Sequence, residues 1–320
     1  MSTPLENYFR LMTANGAVRI YHAAWKHGII ETLAREPMTL PALAQATRLN
    51  ETALRLLVDG LLALGIVEHS EGTLRAGGVM QALSGGYRSL GDEYWAHLDN
   101  WLETGTPIRR MDSRTEGEAA YREQAAALAW MMAPAAAQAA ELLAPLLPRD
   151  AVILDIGAGT GVWSLALAAR LTESKAILLD RAGVLEVARQ FTARAGLESR
   201  VEYKPGDYRE AEIPAGSCDL AMIANVCHLE TDAGNRALIA RTQDWLKPGG
   251  RIVIIDVSAQ NDPLTATLYA LGLALRTESA AVPEPARIES WLSEIGFENV
   301  TAHSLTASPG IMQVWTAVRA

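Results

Sequence analysis

Apolar positions recur in two different rhythms along the chain, and the rhythm changes near residue 150. Before that point they return every three or four residues, the spacing of helices with one buried face. Over residues 1–22, Tyr8, Phe9, Met12 and Ala14 can share such a face, with Val18 and Tyr21 further along. A helix this apolar often packs on something other than its own domain. A second helix is predicted over Ala23–Leu33, and Pro37 and Pro41 then break the pattern. Thr39 is placed to cap a helix over PALAQAT, and Asn50 to cap ETALRLLVDGLLALG, where Leu54, Leu57, Val58, Leu61 and Leu62 form a stripe that Gly65 closes. Residues 66–69 and 72–75 read as a short hairpin. Helix, turn, helix and hairpin follow one another in the order of a winged helix. Residues 85–148 are predicted as connecting helices. Trp95, Leu98, Trp101 and Leu102 make one apolar face, and Pro134 is expected near a bend or a helix start.

From Ala151 the rhythm becomes strand, helix, strand. AVILDI, AILLD, RVEYKPGD, CDLAMIANV and RIVIIDV are the predicted strands. Helices VWSLALAARL, GVLEVARQFTARAG and NRALIARTQDWL alternate with them. Such alternation gives a doubly wound α/β sheet with ligands at the carboxyl ends of its strands. After Asp256 come a long segment, the helix ARIESWLSEIG, and two last strands, ENVTAHSL and IMQVWTAVR, joined through Ser308-Pro309-Gly310. A late hairpin of this kind is not the usual dinucleotide-dehydrogenase plan.

Composition narrows the function classes. The formal net charge is −9 and the pI about 5.3, which opposes generic binding to nucleic acid or anionic membrane. A DNA-reading winged helix is disfavoured further: Arg19–Arg75 holds six Lys or Arg against six Asp or Glu, and its candidate recognition helix offers only Arg55 against Glu51 and Asp59. The bland alternative is a packing or dimerisation module. Cys218 and Cys227 form neither a disulfide framework nor a zinc spacing. No basic-then-apolar leader opens the sequence, and later apolar runs are interrupted by Gln138, Glu141 and Pro145 or are as short as Leu264–Leu275. The expected setting is soluble, reducing and cytoplasmic.

The candidate chemistry begins at Gly157-Ala158-Gly159-Thr160-Gly161, between the first strand and its helix. Glycines let the chain turn sharply and let a ligand approach, and N–H groups at the helix start favour acceptors. Alone, this turn suits a dinucleotide, a nucleoside or a tight corner. Asp180 stands nineteen residues after Gly161 at the end of strand two, where an acid can accept hydrogen bonds from ribose hydroxyls. Asp207, in Pro205-Gly206-Asp207-Tyr208, can receive an adenine amino group. Taken singly, either acid can equally cap a loop. His228 follows strand four in Asn225-Val226-Cys227-His228, and can be a structural hydrogen-bonder or a base taking a proton from a phenol or enol. His228 and Asp256 provide two metal ligands without a third, so no metal is expected. Trp130, Met131 and Met132 read first as core, with Trp130, Met131 and Tyr269 as candidate contacts to a flat acceptor.

LDIGAGTG, Asp180, Gly206-Asp207 and LKPGGRIVIID together resemble the motifs of class I S-adenosylmethionine-dependent methyltransferases. The N-terminal helices and connector resemble, more narrowly, the small-molecule O-methyltransferases of the plant caffeate and bacterial polyketide or carotenoid type. The resemblance runs along nearly the whole chain. It implies a Rossmann-like α/β fold with a seven-stranded sheet whose last strand is antiparallel. It implies a helical winged-helix dimerisation domain over 1–85, connector helices over 86–148 contributing to the acceptor pocket, and a cofactor-binding domain over 149–320. It also implies a homodimer in which the N-terminal helix lends side chains to the neighbouring site. Carried onto this sequence, S-adenosylmethionine is expected on Asp155, Gly157, Gly159, Gly161, Asp180, Arg181, Gly206, Asp207, Tyr208 and Asn225. Asp155 is expected near the cofactor's amino-acid end, directly or through water. His228 takes the place of the general base and Asp256 that of the acid orienting it. Two positions depart from the family pattern: His228-Leu229-Glu230 replaces His-Asp-Trp, and Leu275 precedes Arg276-Thr277 where a second acid is usual, although Glu278 is adjacent. The expectation is methylation of a small aromatic or conjugated natural-product acceptor, on oxygen first, with carbon or nitrogen methylation and ligand sensing as alternatives.

Overall fold

The structure, a computed structural model, describes residues 3–81, 88–111, 114–258 and 262–320. It divides into two compact units, residues 1–84 and 85–320.

The first unit holds α1 (Pro4–Lys26), α2 (Ile29–Arg35), α3 (Leu40–Thr47), α4 (Glu51–Ala63) and the antiparallel hairpin β1 (Val67–Ser70) and β2 (Thr73–Ala76). A capping box starts α1: Thr3 accepts the Glu6 N–H at 3.2 Å, and Glu6 accepts the Thr3 N–H at 2.6 Å. The break between the first two helices falls at His27-Gly28, not between residues 22 and 23. Tyr21 and Ala24, three apart on one buried face, hold the helix on through that stretch, and Gly28 supplies the left-handed φ of 70° that ends it. Thr39 and Asn50 cap α3 and α4 as expected, accepting N–H groups at 3.4 and 3.0 Å. Tyr21, Ile30, Leu33, Leu54, Val58 and Leu61 form this unit's core. By contrast Leu5, Tyr8, Phe9 and Met12 of α1 are exposed.

The second unit opens with α5 (Asp92–Ala96), α6 (Leu98–Thr104) and the 30-residue α7 (Arg114–Leu143). Pro134 lies inside α7, neither at a bend between helices nor at a start. An interior proline costs a helix about 3 kcal/mol. Here it sits on the exposed side, while Ala135, Ala136, Ala139, Ala140 and Leu143 bury the other side in the core. Close packing of that small-residue face outweighs the lost hydrogen bond. The helical stretch Glu116–Leu146 is long and apolar enough to cross a membrane by length and composition, with mean hydropathy 1.2; its alanine face is used here against the sheet.

The sheet is built from β3 (Val152–Ile156), β4 (Lys175–Asp180), β5 (Val201–Pro205), β6 (Cys218–Ala224), β7 (Leu246–Val257), β8 (Phe297–Ser304) and β9 (Met312–Arg319). Between them run α8 (Val162–Arg170), α9 (Ala182–Ala195), α10 (Asp232–Trp245), α11 (Pro263–Ala274) and α12 (Pro285–Ile295). The order is β5-β4-β3-β6-β7-β9-β8, with β9 alone antiparallel to its neighbours. Successive strand residues serve opposite layers. Ile153, Val253 and Ile255 pack with α7 and α8, whereas Leu154, Ile156 and Ile254 pack with α10 and α12. The apolar stretch at 264–275 is mostly helix α11, which the linear pattern did not reveal.

Candidate active site

Three glycines shape the turn after β3. Gly157, Gly159 and Gly161 have φ of 66°, 59° and 75°, a region that other residues enter only with strain. Two of them are also crowded. A Cβ on Gly157 would lie 2.6 Å from Val226 Cγ2, and one on Gly159 2.1 Å from the Tyr121 hydroxyl. The turn is held from both sides. Asp180, at the end of β4, accepts the Gly159 N–H at 2.8 Å and the Arg181 N–H at 2.7 Å. Burial raises its pKa, and those two N–H groups oppose the rise. From α7, the Tyr121 oxygen accepts the Thr160 N–H at 2.9 Å. Burial, and then the charge of Asp180, push that phenol's pKa up.

Asp155 lies behind the turn, 1% exposed, and accepts the Ser164 hydroxyl of α8. Burial pushes its pKa up to about 7. A cleft of about 680 Å³ is lined by Glu118 and Arg122 of α7, Arg181 just after β4, and Pro205-Gly206-Asp207 at the end of β5. Carboxylates and N–H groups in such a cleft suit the hydroxyls and ring nitrogens of a nucleoside. Gly206 faces open space and needs no special backbone conformation. Asp207 accepts the Arg209 N–H at 2.9 Å. Tyr208 donates to Glu230 at 2.5 Å, and its ring lies 3.7 Å from where a Gly157 Cβ would stand. Burial, then Glu230, raise the Tyr208 pKa.

The third part stands at the end of β6. Asn225 takes a left-handed φ of 56°, which asparagine tolerates better than most residues, and donates its N–H to Ile255 at 2.8 Å. The chain then makes a short 3-10 turn, Cys227–Leu229, that carries His228. His228 is 4% exposed and Asp256 0%. Asp256, near the end of β7, holds His228 twice: Oδ2 accepts its N–H at 3.1 Å, and Oδ1 lies 2.6 Å from Nδ1. Oδ1 also accepts the Val257 N–H at 2.8 Å. An ionised carboxylate can only accept, so Nδ1 carries the ring proton and Nε2 presents its lone pair. The Tyr269 hydroxyl of α11 is 3.0 Å from that Nε2. The His228 carbonyl accepts the Ala281 N–H at 2.9 Å, and Leu275 and Arg276 carbonyls accept the N–H groups of Ile108 and Met111 at 2.9 Å each. The stretch before α7 and the segment after β7 are thereby joined, and that segment also meets the turn that carries His228.

Of the acceptor-side candidates, Tyr269 is the one the structure brings to His228. Trp130 is 38% exposed on α7, and it is Met132, not Met131, that packs on the core of the sheet. Leu275 is fully buried, and the neighbouring Glu278 pairs with Arg110 at 3.5 Å on an exposed surface. Tyr121, Glu118, Ser164 and Glu230 escaped the reading of the sequence. Each acts across elements, and only an aromatic residue in an alanine-rich stretch hinted at Tyr121. Among the described residues no group of three or more His, Cys, Asp or Glu is placed to hold a metal.

The profile of the O-methyltransferase domain family matches residues 96–298. Acetylserotonin O-methyltransferase of Bos taurus is 28% identical over 221 residues, 64% of this chain; the match spans 62% of that enzyme's length. The 3-hydroxy-5-methyl-1-naphthoate 3-O-methyltransferase of Streptomyces sahachiroi is 24% identical over 318 residues, covering 93% of this chain and 90% of that one. The crystal structure of human N-acetylserotonin methyltransferase in complex with S-adenosylmethionine superimposes with a TM-score of 0.72 at 22% identity, covering 100% of this chain and 99% of the other. That last likeness is one of fold.

Proposed function

Because the chain belongs to the S-adenosylmethionine-dependent small-molecule O-methyltransferases, we propose that it methylates a hydroxyl of a small aromatic or conjugated acceptor. His228 is then the general base and Asp256 the acid that orients it. The observation that carries this reading is the Asp256–His228 pair, 2.6 Å apart and buried, at the same edge of the sheet as the glycine turn. The relatives' names point the same way, since acetylserotonin and the hydroxynaphthoate are aromatic hydroxyl compounds.

The residues present fit the methyl donor. Gly157, Gly159 and Gly161 allow the turn its left-handed backbone. Asp180 and Arg181 end β4 beside the cleft, where ribose hydroxyls meet a carboxylate already aimed at the turn. Gly206 and Asp207 line the cleft, Tyr208 lies against the turn at Gly157, and Asn225 follows β6, three residues before His228. Asp155, joined to Ser164 beside Gly161, stands near the cofactor's amino-acid end, directly or through water. Bound, the cofactor supplies a methyl group already electrophilic on its sulfonium. The protein's task is alignment, which can supply roughly 7–11 kcal/mol, and removal of the acceptor's proton.

The apolar face of α1 supports a homodimer. Leu5, Tyr8, Phe9 and Met12 are 64%, 57%, 54% and 50% exposed, and a second copy would cover them, as the family resemblance also implies. Residues 1–85 are then the dimerisation module, and the site acts in a reducing cytoplasm that suits the free, buried Cys218 and Cys227.

Calorimetric titration with S-adenosylhomocysteine tests the cofactor; binding is expected, and its absence at high micromolar concentration removes the assignment. Isotope-labelled donor with a panel of hydroxylated aromatics then tests transfer, and NMR of the product locates the methyl group on oxygen, carbon or nitrogen.

A further inference from the structure

A neutral imidazole has one lone pair with which to take a proton. In His228 it lies on Nε2, because Nδ1 is committed to Asp256. That lone pair is already engaged. The Tyr269 hydroxyl sits 3.0 Å from Nε2, and the two rings meet edge to face at 88°, with centroids 5.6 Å apart. Tyr269 is set there by its helix: Ala266 and Leu273, three before and four after it in α11, are both buried. While the Tyr269 hydroxyl donates there, Nε2 has no lone pair left for an acceptor hydroxyl. A phenol oxygen, in contrast, can accept one proton while it donates another.

We propose that Tyr269 is a catalytic residue of the transfer, a proton relay standing between the acceptor's hydroxyl and His228. This rests on the reading of His228 as the base of an O-methyltransferase. The acceptor oxygen bonds to the methyl carbon as the carbon–sulfur bond of the donor opens and its electron pair stays on sulfur. The acceptor's proton passes to the Tyr269 oxygen as the Tyr269 proton passes to Nε2. Tyr269 starts and ends as a neutral phenol. The positive charge lost from sulfur reappears as an imidazolium beside Asp256, and the extra proton leaves to water after product release. The surroundings help a phenol to pass a proton: the Arg276 guanidinium lies over the Tyr269 ring, 5.8 Å from its centroid, and a cation there favours the phenolate character that develops during hand-over. The arrangement selects acceptors whose hydroxyl is about as acidic as tyrosine's own, which means aryl or enolic hydroxyls over alcohols.

The competing account makes Tyr269 a plug that occupies the acceptor's place and swings away. The two accounts predict opposite effects of Tyr269→Phe. In the full-length protein loaded with S-adenosylhomocysteine, 4-nitrophenol serves as the probe, its ionisation read by absorbance. A relay predicts that Tyr269→Phe binds the probe several-fold more weakly while its affinity for S-adenosylhomocysteine, by calorimetry, stays at the wild-type value. Equal or tighter probe binding by the variant overturns the relay. With a hydroxylated aromatic found to be methylated, Tyr269→Phe should lower kcat by about 10²-fold, raise KM several-fold in step with the probe, and reduce a two-proton solvent isotope inventory to one proton. An unchanged kcat or inventory overturns it. If His228→Ala is inactive while Tyr269→Phe is fully active, the relay fails and the base stands. If the wild type does not bind S-adenosylhomocysteine, the O-methyltransferase reading itself fails.

Discussion

Asp155 shows how much one buried acid can do. Its carboxyl holds a proton up to about pH 7, because burial disfavours the charge. The unfolded chain releases that proton near 3.8, the ordinary value. Between those limits the native state binds more protons than the unfolded one, so stability falls as pH rises, by about 1.4 kcal/mol for each unit of pKa difference. Asp180, also raised by burial, adds to the slope with the same sign. Asp155→Asn should flatten the fall of Tm between about pH 4 and 7 in the cofactor-free protein; an unaltered slope would place the titrating group elsewhere. His228 gives the functional counterpart. His228→Ala is expected to leave S-adenosylhomocysteine affinity intact and to cut turnover by about 10²- to 10⁴-fold. A loss below about tenfold would make His228 a positioning residue.

At the scale of elements, what the sequence disclosed depended on whether the deciding contact was local. Caps at Thr39 and Asn50, the glycine turn and the alternation of strands and helices follow from neighbours in sequence, and each appears where the pattern put it. Pro134 departs from the pattern because its cost is local while its compensation, the alanine face packed into the core, is not. The α1–α2 break moved for the same reason, through burial of Ala24. In the site, Asp180, His228 and Asp256 were legible because strand ends are legible. Tyr121 was not, because a helix remote in sequence delivers it to Thr160. The alanine face of α7 offers a direct test. Ala139 is 2% exposed, and Ala139→Leu should cost about 1–3 kcal/mol by overpacking. Urea denaturation would measure it, and a neutral result would mean that the helix rides further from the sheet than the structure places it.

At the scale of the whole molecule, the exposed apolar face of α1 bears on assembly. Light scattering after size exclusion should give twice the chain's mass of 34.5 kDa, and Phe9→Glu with Met12→Glu should give a monomer that still binds S-adenosylhomocysteine. A wild-type monomer would remove the dimer. The sheet order carries a different consequence. Of its seven strands, β9 is the latest in sequence, yet it lies between β7 and β8 and pairs Gln313 opposite Asp256. During synthesis, at roughly 5–20 residues per second, β7 leaves the ribosome with a raw edge and waits several seconds for its permanent neighbour. The strand bearing Asp256 is thus exposed to other edges in that interval, and a chaperone or a slowed ribosome would be felt first as the fraction of chains that bring Asp256 and His228 together.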